Sequence, residues 1–269
     1  MKPLSYVHGY DREENQRLQD QASTLEELLH ADTRYPAGSR VLETGCGVGA
    51  QTVILAANSP DALITSVDIS DVSVTQAKRA VAARNFRNVS VQRADLFAMP
   101  FAPGSFDHAF VCFVLEHLAD PVAALQAVRR MVRRGGSITV IEGDHGSTYF
   151  HPRSDYASRA VLCQVELQAR AGGDALIGRA LYPLLTAAGL TDVQVSPRMV
   201  YVDASRPALV DGFTRRTFTA MIEGVRDPAL AAGLMSEKDF DRGIADLYRS
   251  AEPDGVFCYT FFKAEAIVP

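Results

Sequence analysis

The stretch VLETGCGVGAQT, residues 41–52, decides the fold. An apolar run meets one acidic residue, Glu43, and is followed at alternate positions by Gly45, Gly47 and Gly49. Glycine adopts backbone conformations that a Cβ atom forbids, and it lets the backbone approach a ligand closely. The pattern therefore predicts a buried strand that ends in a loop folded around a nucleotide-like ligand.

Strands and helices alternate with short connections on both sides of this loop. Pro121 opens one of the helices, and Gly135 with Gly136 closes it. This alternation predicts an α/β fold with a doubly wound parallel sheet whose two faces are both covered. The predicted strands are 40–45, 63–69, 88–95, 106–115 and 137–143, and the first two connecting helices are 49–58 and 73–85.

The regular alternation of predicted strands and helices ends after Gly143. Helical insertions are predicted in 146–175 and 204–252, on either side of a strand at 191–203 that is interrupted at Pro197, and an aromatic-rich strand ends the chain. We expect three regions: an N-terminal lid and helix (1–38), a ligand-binding core (39–145), and the remainder of the sheet with cap insertions that form an acceptor pocket (146–269).

The net charge of −5 disfavours nucleic acid and anionic membrane as partners, because neither polyanion gains from an acidic protein. The four cysteines are widely spaced and form no metal-binding pair, which is typical of a reducing compartment. No signal core or stretch of about 20 apolar residues is seen. We expect a cytoplasmic protein, and a homo-oligomer is left open.

Three carboxylates follow three successive predicted strands. Asp68 is placed to accept hydrogen bonds from ribose hydroxyls, and Asp95 can reach the exocyclic amine of an adenine ring. Both fit NAD and other adenosine ligands alike. Glu43 discriminates between them, because a carboxylate repels a pyrophosphate but attracts an ammonium or a sulfonium group. S-adenosylmethionine carries both of these cations.

This set resembles the class I S-adenosylmethionine-dependent methyltransferases. The resemblance rests on E-x-G-x-G-x-G at 43–49, on Asp68, on Ala94-Asp95 and on GSFDHAFVCFVLEHLADP at 104–121, and it covers roughly residues 39–143. It implies a Rossmann-like sheet of seven strands with an antiparallel last strand, and S-adenosylmethionine as the cofactor. The resemblance also implies which part of the cofactor each residue contacts. The methionine part would lie along Gly45, Gly47, Gly49 and Phe113, with its amino end near Glu43. The ribose would bind Asp68, and the adenine would lie against Ile69, Ser70, Asp95 and Leu96.

Two segments are candidates for the acceptor side of the site. Near the N-terminus, YVHGYDREE (6–14) predicts a lid in which Tyr6, His8 and Tyr10 cover the cofactor or the acceptor. Tyr6 is a candidate for the acceptor pocket, and His8 and Tyr10 are further candidates for the catalytic base. After the fifth predicted strand, IEGDHGSTYF (141–150) offers His145 as a base oriented by a nearby carboxylate, and Asp144 as a residue of the acceptor pocket. The alternative is a polar loop that lines the pocket without proton transfer. We expect no metal, since no matching third acid ligand follows strand four. Tyr149, Tyr182, Phe213 and Phe218 are candidate pocket walls.

The whole-chain pattern is similar to actinobacterial secondary-metabolite methyltransferases that act on indole or alkaloid-like substrates, C-methylating ones among them. The function expected from this resemblance is methyl transfer to a small-molecule acceptor. One alternative is an NAD-dependent oxidoreductase, which Glu43 disfavours. The other is a protein that binds the cofactor without methylation and acts as a cyclase or an interaction partner.

Overall fold

We describe the protein from a computed structural model, which covers residues 12–269 and, within the first helix, the side chains of Arg17 and of the residues from Gln21 onward. Apolar runs that alternate with turn residues form the strands. These are β1 (Arg40–Thr44), β2 (Leu63–Asp68), β3 (Val89–Arg93), β4 (Phe106–Cys112), β5 (Val132–His151), β6 (Thr191–Val202) and β7 (Val256–Ile267).

Helices connect the strands and also extend beyond the sheet. The α-helices are α1 (Arg12–His30), α2 (Ala50–Asn58), α3 (Asp71–Ala83), α4 (Pro121–Met131), α5 (Asp155–Arg170), α6 (Leu181–Ala187), α7 (Pro207–Leu209), α8 (Ala220–Glu223), α9 (Arg226–Ala231) and α10 (Glu237–Arg249). A π-helical stretch, Val210–Thr219, joins α7 to α8. Side-chain caps at Ser70, Asp120, Ser154 and Ser236 begin four of these helices.

The seven strands form one sheet in the order β3-β2-β1-β4-β5-β7-β6. Neighbours from β3 to β5 pair in parallel, whereas β7 is antiparallel to both β5 and β6. The strand order reverses between β1 and β4, so the loops after these two strands open onto the crevice where such sheets bind ligands. The predicted α/β fold, with a seven-stranded sheet and an antiparallel last strand, is confirmed.

Both faces of the sheet are buried, against different sets of helices. One face packs against α4 and α6 through residues such as Leu125, Val128 and Leu185. The other packs against α1 and α2 and against a cap, the name we give to α5, α7–α10 and the π-helical stretch. Because the cap shares one apolar cluster with this face, the sheet and the cap are built around a common core.

Two strand boundaries differ from those predicted. β5 continues through residues 146–151, which were expected to begin a helical insertion, because this part pairs with β7 from Tyr149↔Cys258 to His151↔Val256. β6 is not interrupted at Pro197, which pairs with Phe262. A proline is tolerated there because β6 is the edge strand, where an N–H on the solvent side has no strand to bond.

Candidate active site

The glycine loop after β1 has the left-handed backbone that its sequence predicts. Gly45, Gly47 and Gly49 have φ angles of +70°, +50° and +83°, a region that other residues rarely adopt. The N–H groups of Gly45 and Cys46 donate to the carbonyl of Val67 at 2.8 and 3.0 Å. The loop is therefore held against the end of β2 before it enters α2.

The three glycines have different surroundings. A Cβ atom on Gly45 would lie 2.4 Å from Cγ2 of Val114, and one on Gly49 would lie 2.9 Å from the Cα atom of Ala77 in α3. A Cβ atom on Gly47 would meet no protein atom within 4 Å. Gly45 and Gly49 thus serve close packing, while Gly47 presents its backbone to open space.

Asp68 joins the glycine loop to the start of α3. Its Oδ2 accepts a hydrogen bond from the N–H of Gly47 at 2.9 Å, and its Oδ1 accepts one from the N–H of Ser70 at 2.9 Å. Ser70 in turn caps α3, since its hydroxyl accepts from the N–H of Ser73 at 3.2 Å. The carboxylate therefore fixes the loop, and it is only half-buried, which leaves it within reach of a ligand.

Glu43 lies inside the protein, beneath the glycine loop. Its Oε2 accepts hydrogen bonds from Oγ1 of Thr52 at 2.7 Å and Oγ of Ser66 at 2.6 Å. Burial raises the pKa of this carboxyl to about 7, while the two hydroxyl groups act to lower it. A cation near this group would therefore shift it toward the ionised form.

Apolar side chains flank the ends of β2 and β3. Ile69 is 55% exposed and Phe97, which the sequence interpretation did not single out, is 48% exposed. Leu96 lies between Phe97 and Asp95, whose carboxylate accepts from the N–H of Phe97 at 2.9 Å. Exposed apolar residues beside a carboxylate, at one edge of the sheet, match an adenine ring with its amine. Phe97 directly follows Asp95-Leu96 in the sequence, and this position could have indicated that it contacts the same ligand.

Phe113 follows β4 in a constrained conformation. Its φ angle is +57°, and its N–H donates to the carbonyl of Ile141 at 2.9 Å. Its ring lies 5.6 Å from that of Phe261 in β7. A non-glycine residue held at positive φ is a feature found at ligand sites, and it turns the chain toward the end of β5.

Glu142, at the end of the parallel part of β5, was not assigned a role from the sequence. It is fully buried, and its Oε1 accepts hydrogen bonds from the N–H groups of Val114 at 3.0 Å and Leu115 at 2.8 Å. Burial and the neighbouring charge of Glu116 raise its pKa well above the usual range. Glu142 therefore holds the loop after β4 in place through these two hydrogen bonds.

His145 lies on the cap side of β5. The side chain is buried, and its Nδ1 is 3.0 Å from the hydroxyl oxygen of Tyr259, which the sequence interpretation did not single out either. Its Nε2 has no hydrogen-bond partner among the side chains that are described, those of Arg17 and of residues 21–269. Burial lowers the pKa of His145, so the ring is neutral near pH 7. The aromatic rings of Phe218 and Tyr259 lie 6.1 and 5.6 Å from it.

Asp144 points away from His145, because neighbouring strand residues face opposite sides of the sheet. Its two carboxylate oxygens accept hydrogen bonds from Nε and Nη2 of Arg179 at 2.7 and 2.8 Å. The structure therefore pairs Asp144 with a guanidinium, on the side of the sheet away from the imidazole of His145. Among the side chains that the structure describes (Arg17 and residues 21–269), no three His, Cys, Asp or Glu groups are placed to hold a metal ion.

The remaining predicted pocket residues are spread more widely. Tyr149 and Tyr182 are 67% and 59% exposed, so neither is part of a buried wall in this structure. Phe213 and Phe218 are buried within the cap and pack against Phe257 and Tyr259 of β7. The lid candidates Tyr6, His8 and Tyr10 lie outside the described residues.

The residues around the glycine loop fit S-adenosylmethionine. Gly47 opens the backbone to a ligand, Asp68 and Asp95 offer carboxylates, and Ile69 and Phe97 offer apolar surface. Residues 42–140 match the family described as the methyltransferase domain. With the sheet order, this match to a methyltransferase domain agrees with the sequence resemblance to the class I S-adenosylmethionine-dependent methyltransferases.

Two relatives extend this comparison. The chain is 35% identical over 197 residues to an uncharacterized 37.1 kDa protein in transposon TN4556 of Streptomyces fradiae, covering 72% of this chain and 56% of that one. It is 30% identical to the 27-O-demethylrifamycin SV methyltransferase of Amycolatopsis mediterranei, covering 49% of each. The chain thus spans about half the length of these relatives.

A solved structure with a similar fold is phosphoethanolamine N-methyltransferase 2 of Haemonchus contortus, in complex with phosphomonomethylethanolamine and S-adenosylhomocysteine. It superposes with a TM-score of 0.56 and 16% identity, over 93% of this chain and 53% of that one. At this identity the likeness concerns the fold. Within the described residues, no helix has the length and apolar character needed to cross a membrane.

Proposed function

We propose that this protein is an S-adenosylmethionine-dependent methyltransferase that acts on a small-molecule acceptor, with an indole or alkaloid-type natural product as the first candidate. The observation that carries the proposal is the loop at Gly47. Its backbone faces open space while its N–H is bonded to Asp68, at the point where the strand order reverses.

The cofactor would be held by residues from three successive strand ends. Asp68 would take the ribose, Asp95 and Leu96 with Ile69 the adenine, and the glycine loop with Phe113 the methionine part; Glu43 would lie toward the ammonium group. When bound, the cofactor supplies a methyl group on a sulfonium sulfur, which is electrophilic without further activation. The protein then has to align the acceptor, exclude water and receive a proton where one is released.

His145 is the proposed base for that proton. Its pKa is lowered by burial, so the imidazole is neutral and able to accept. Nε2 is the accepting atom when Nδ1 carries the hydrogen and donates it to the hydroxyl oxygen of Tyr259. Once an acceptor is known, His145→Ala should lower turnover by about 10²- to 10⁴-fold without changing cofactor binding. Near-normal turnover would remove His145 from this role.

The aromatic side chains near His145 come from the cap and from β7. For this reason we propose an acceptor that is small and partly aromatic. The ring centroid of Phe213 lies 5.9 Å from those of Tyr259 and Phe261 and 6.5 Å from that of Phe218, and the rings of Tyr259 and Phe261 lie 4.7 Å apart. The rifamycin methyltransferase of Amycolatopsis mediterranei is named for a small-molecule substrate, which supports the same substrate class here.

The cofactor is tested by calorimetric titration of the protein with S-adenosylhomocysteine, with NAD⁺ titrated in parallel. We expect S-adenosylhomocysteine to bind and NAD⁺ not to. Asp68→Ala should weaken the binding by about 10-fold or more, since it removes a charged acceptor. Asp71→Ala is the matched control, because Asp71 is an exposed carboxylate in the first turn of α3. Binding of NAD⁺ alone would replace the proposal with an oxidoreductase.

Methylation itself is tested by formation of S-adenosylhomocysteine from S-adenosylmethionine in the presence of acceptors, indoles first. Product that depends on the acceptor supports the transferase. An acceptor that is converted without formation of S-adenosylhomocysteine would instead indicate a cyclase.

A further inference from the structure

The pairing of β5 with β7 is interrupted at His145. The interruption lies between Asp144 and Tyr149, and over it four residues of β5, 145–148, lie opposite a single residue of β7, Tyr259. Extra residues in one strand bend it and redirect its side chains, and such bulges are frequent beside active sites. His145 is the first residue of this bulge, and Tyr259 is the residue across from it.

The bulge is held by hydrogen bonds of its own. The N–H of His145 donates to the carbonyl of Ala175 at 3.0 Å, and the carbonyl of His145 accepts from the hydroxyl group of Thr148 at 2.8 Å. The hydroxyl group of Ser147 accepts from the N–H of Thr260 in β7 at 2.9 Å. Both backbone polar groups of His145 are thus paired, which fixes the point from which its side chain extends.

Tyr259 holds its hydroxyl group at the end of a tightly packed ring. The residue is 3% exposed, and its ring centroid lies 5.9 Å from that of Phe213, 5.5 Å from that of Phe218 and 4.7 Å from that of Phe261. Side chains packed in this way stay in one rotamer. The direction of the hydroxyl group is therefore set by the core before His145 contacts it.

Gly143 leaves the space that this hydroxyl group occupies. A Cβ atom on Gly143 would lie 2.3 Å from the hydroxyl oxygen of Tyr259, and its three nearest atoms all belong to that side chain. Gly143 is not among the glycines with a positive φ. A close approach, and not an unusual backbone conformation, therefore explains a glycine inside this strand.

One hydrogen bond joins Tyr259 to His145. The hydroxyl oxygen lies 3.0 Å from Nδ1, and the two rings meet edge to face at 79°. A hydroxyl group can donate or accept, whereas a carboxylate can only accept. The bond to Nδ1 can therefore persist while the imidazole is neutral and after Nε2 has taken up a proton.

The other ring nitrogen of His145 is left for a ligand. Nε2 is buried and has no hydrogen-bond partner in the part of the chain that the structure describes. Leaving a buried polar atom unpaired costs free energy, so such an atom calls for an explanation. The bond that one ring nitrogen makes decides the state of the other.

We infer that Tyr259, with its hydroxyl group lying over Gly143, is a positioning residue for His145: it occupies Nδ1 and holds the ring so that Nε2 alone is presented to the acceptor. This deepens the proposed function and rests on it for the role of His145 as a base. The proton that leaves the acceptor goes to Nε2, and Nδ1 then donates its hydrogen to the hydroxyl oxygen of Tyr259.

The hydrogen bond is tested by NMR of the full-length protein with isotopically labelled histidine, without ligands. Tyr259→Phe keeps the packed ring and removes only the hydroxyl group, so the Nδ1 resonance of His145 should shift. Tyr248→Phe is the matched control, because it removes a hydroxyl group that donates to Glu223 at 2.9 Å. An unchanged Nδ1 resonance in Tyr259→Phe, or an equal shift in both variants, would overturn the inference.

Turnover separates positioning from a general structural effect. With an acceptor in hand, Tyr259→Phe should lower kcat by about 10-fold and leave the KM for S-adenosylmethionine unchanged. In the His145→Ala background the same substitution should have no further effect on kcat, because Tyr259 acts through His145. An equal reduction in both backgrounds would overturn the inference. Near-normal turnover of His145→Ala would instead defeat the proposed base, while the NMR shift still decides whether Tyr259 holds the ring.

Gly143→Ala tests the space for the hydroxyl group. In the wild type the added methyl group must displace that hydroxyl group, so the midpoint of urea unfolding should fall and the Nδ1 resonance of His145 should shift. In the Tyr259→Phe background the hydroxyl group is absent, so the midpoint should fall much less. Equal losses in both backgrounds would overturn the assignment of Gly143 to this hydroxyl group.

Discussion

Gly47 and Gly49 lie two residues apart and have separable roles. Gly49→Ala places a Cβ atom 2.9 Å from the backbone of Ala77, at a φ of +83°. We expect it to lower the free energy of unfolding by roughly 2–5 kcal/mol, from backbone strain and overpacking together. Gly47→Ala meets no atom within 4 Å, so it should cost only about 1–2 kcal/mol. Urea unfolding measures both.

Binding of S-adenosylhomocysteine should be more sensitive to Gly47→Ala than to Gly49→Ala, the opposite of the order expected for stability. The added methyl group of Gly47→Ala occupies the space proposed for the cofactor, so S-adenosylhomocysteine should bind about 10-fold or more weakly in a titration. Unchanged affinity in this folded variant would show that the ligand does not approach the loop at this residue.

The pKa of Glu43 predicts a stability that depends on pH. Its value of about 7 in the folded protein exceeds the 4.5 of a free carboxyl, so the folded state retains a proton that the unfolded state has released. The contribution of Glu43 to the free energy of unfolding is therefore largest below pH 4.5. It falls by about 3 kcal/mol as the pH rises toward 7. Urea unfolding of the ligand-free protein between pH 5 and 8 measures this decrease.

Glu43→Gln is the matched variant, since it keeps an oxygen that can accept from Thr52 and Ser66. The free energy of unfolding of this variant should lack the pH dependence that Glu43 contributes. The difference in free energy of unfolding between the wild type and the variant should therefore change between pH 5 and 8. Parallel profiles would mean that Glu43 is ionised in the folded protein throughout.

At the scale of residues, the sequence singled out side chains at strand ends more readily than side chains that act through long-range contacts. The residues from Glu43 to Gly49, with Asp68 and Asp95, lie at strand ends, where a local pattern places the side chain. Tyr259 and Glu142 act through contacts with His145 and with the loop after β4. Contacts between residues far apart in the chain leave no local pattern, so neither residue stood out.

At the scale of elements, an ion pair between the buried Lys263 and the half-exposed Asp32 attaches α1 to the sheet. Nζ of Lys263 in β7, which is 2% exposed, donates to Asp32 at 2.6 Å and to Thr33 at 2.8 Å, just beyond the end of α1. Asp32→Ala should therefore cost about 3 kcal/mol, because it leaves a buried ammonium group with Glu265, 3.6 Å away, as its nearest carboxylate.

Lys263→Met should cost less than about 1 kcal/mol, because an apolar chain of similar volume replaces the charge and Asp32 retains Arg198. Urea unfolding compares the two variants, with Asp227→Ala as an exposed control. An equal cost for both would mean that packing, not charge, holds α1 in place.

Helices and strands could be predicted from the spacing of apolar residues along the sequence. The residues at which strands end were harder to predict. The turn residues of 146–151, with Gly146 and Ser147, obscured a strand that pairing with β7 stabilises. Pro197 suggested an interruption, but only the sheet order shows that β6 is an edge strand. Both differences arise from strand pairing between distant segments.

At the scale of the whole molecule, one apolar cluster includes Leu55 of α2, Phe110 of β4, Phe240 of α10 and Phe257 of β7. Because cap and sheet share this core, we expect a single unfolding transition. S-adenosylhomocysteine at 100 times its Kd should stabilise the protein by about 2.7 kcal/mol and raise the Tm by roughly 5–10 °C.

Hydrogen exchange can follow both regions, since amides of α10 and of β1 report on the cap and the sheet separately. Both should gain protection together when S-adenosylhomocysteine binds. Two thermal transitions, of which the ligand shifts only one, would show that the cap is an independent unit.

The long pairing of β5 with β7 also bears on how acceptor pockets could be exchanged among relatives. The two strands run as a ribbon past Asp144 to His151 and Val256, and the cap helices leave from its tip. A chimera joined at residue 145, where the parallel sheet stops, would divide this ribbon between two parents and mismatch its register. Junctions at 152–176 and 203–255 would transplant the helices between intact strands, and a substrate range that moved with them would show that these helices form the acceptor pocket.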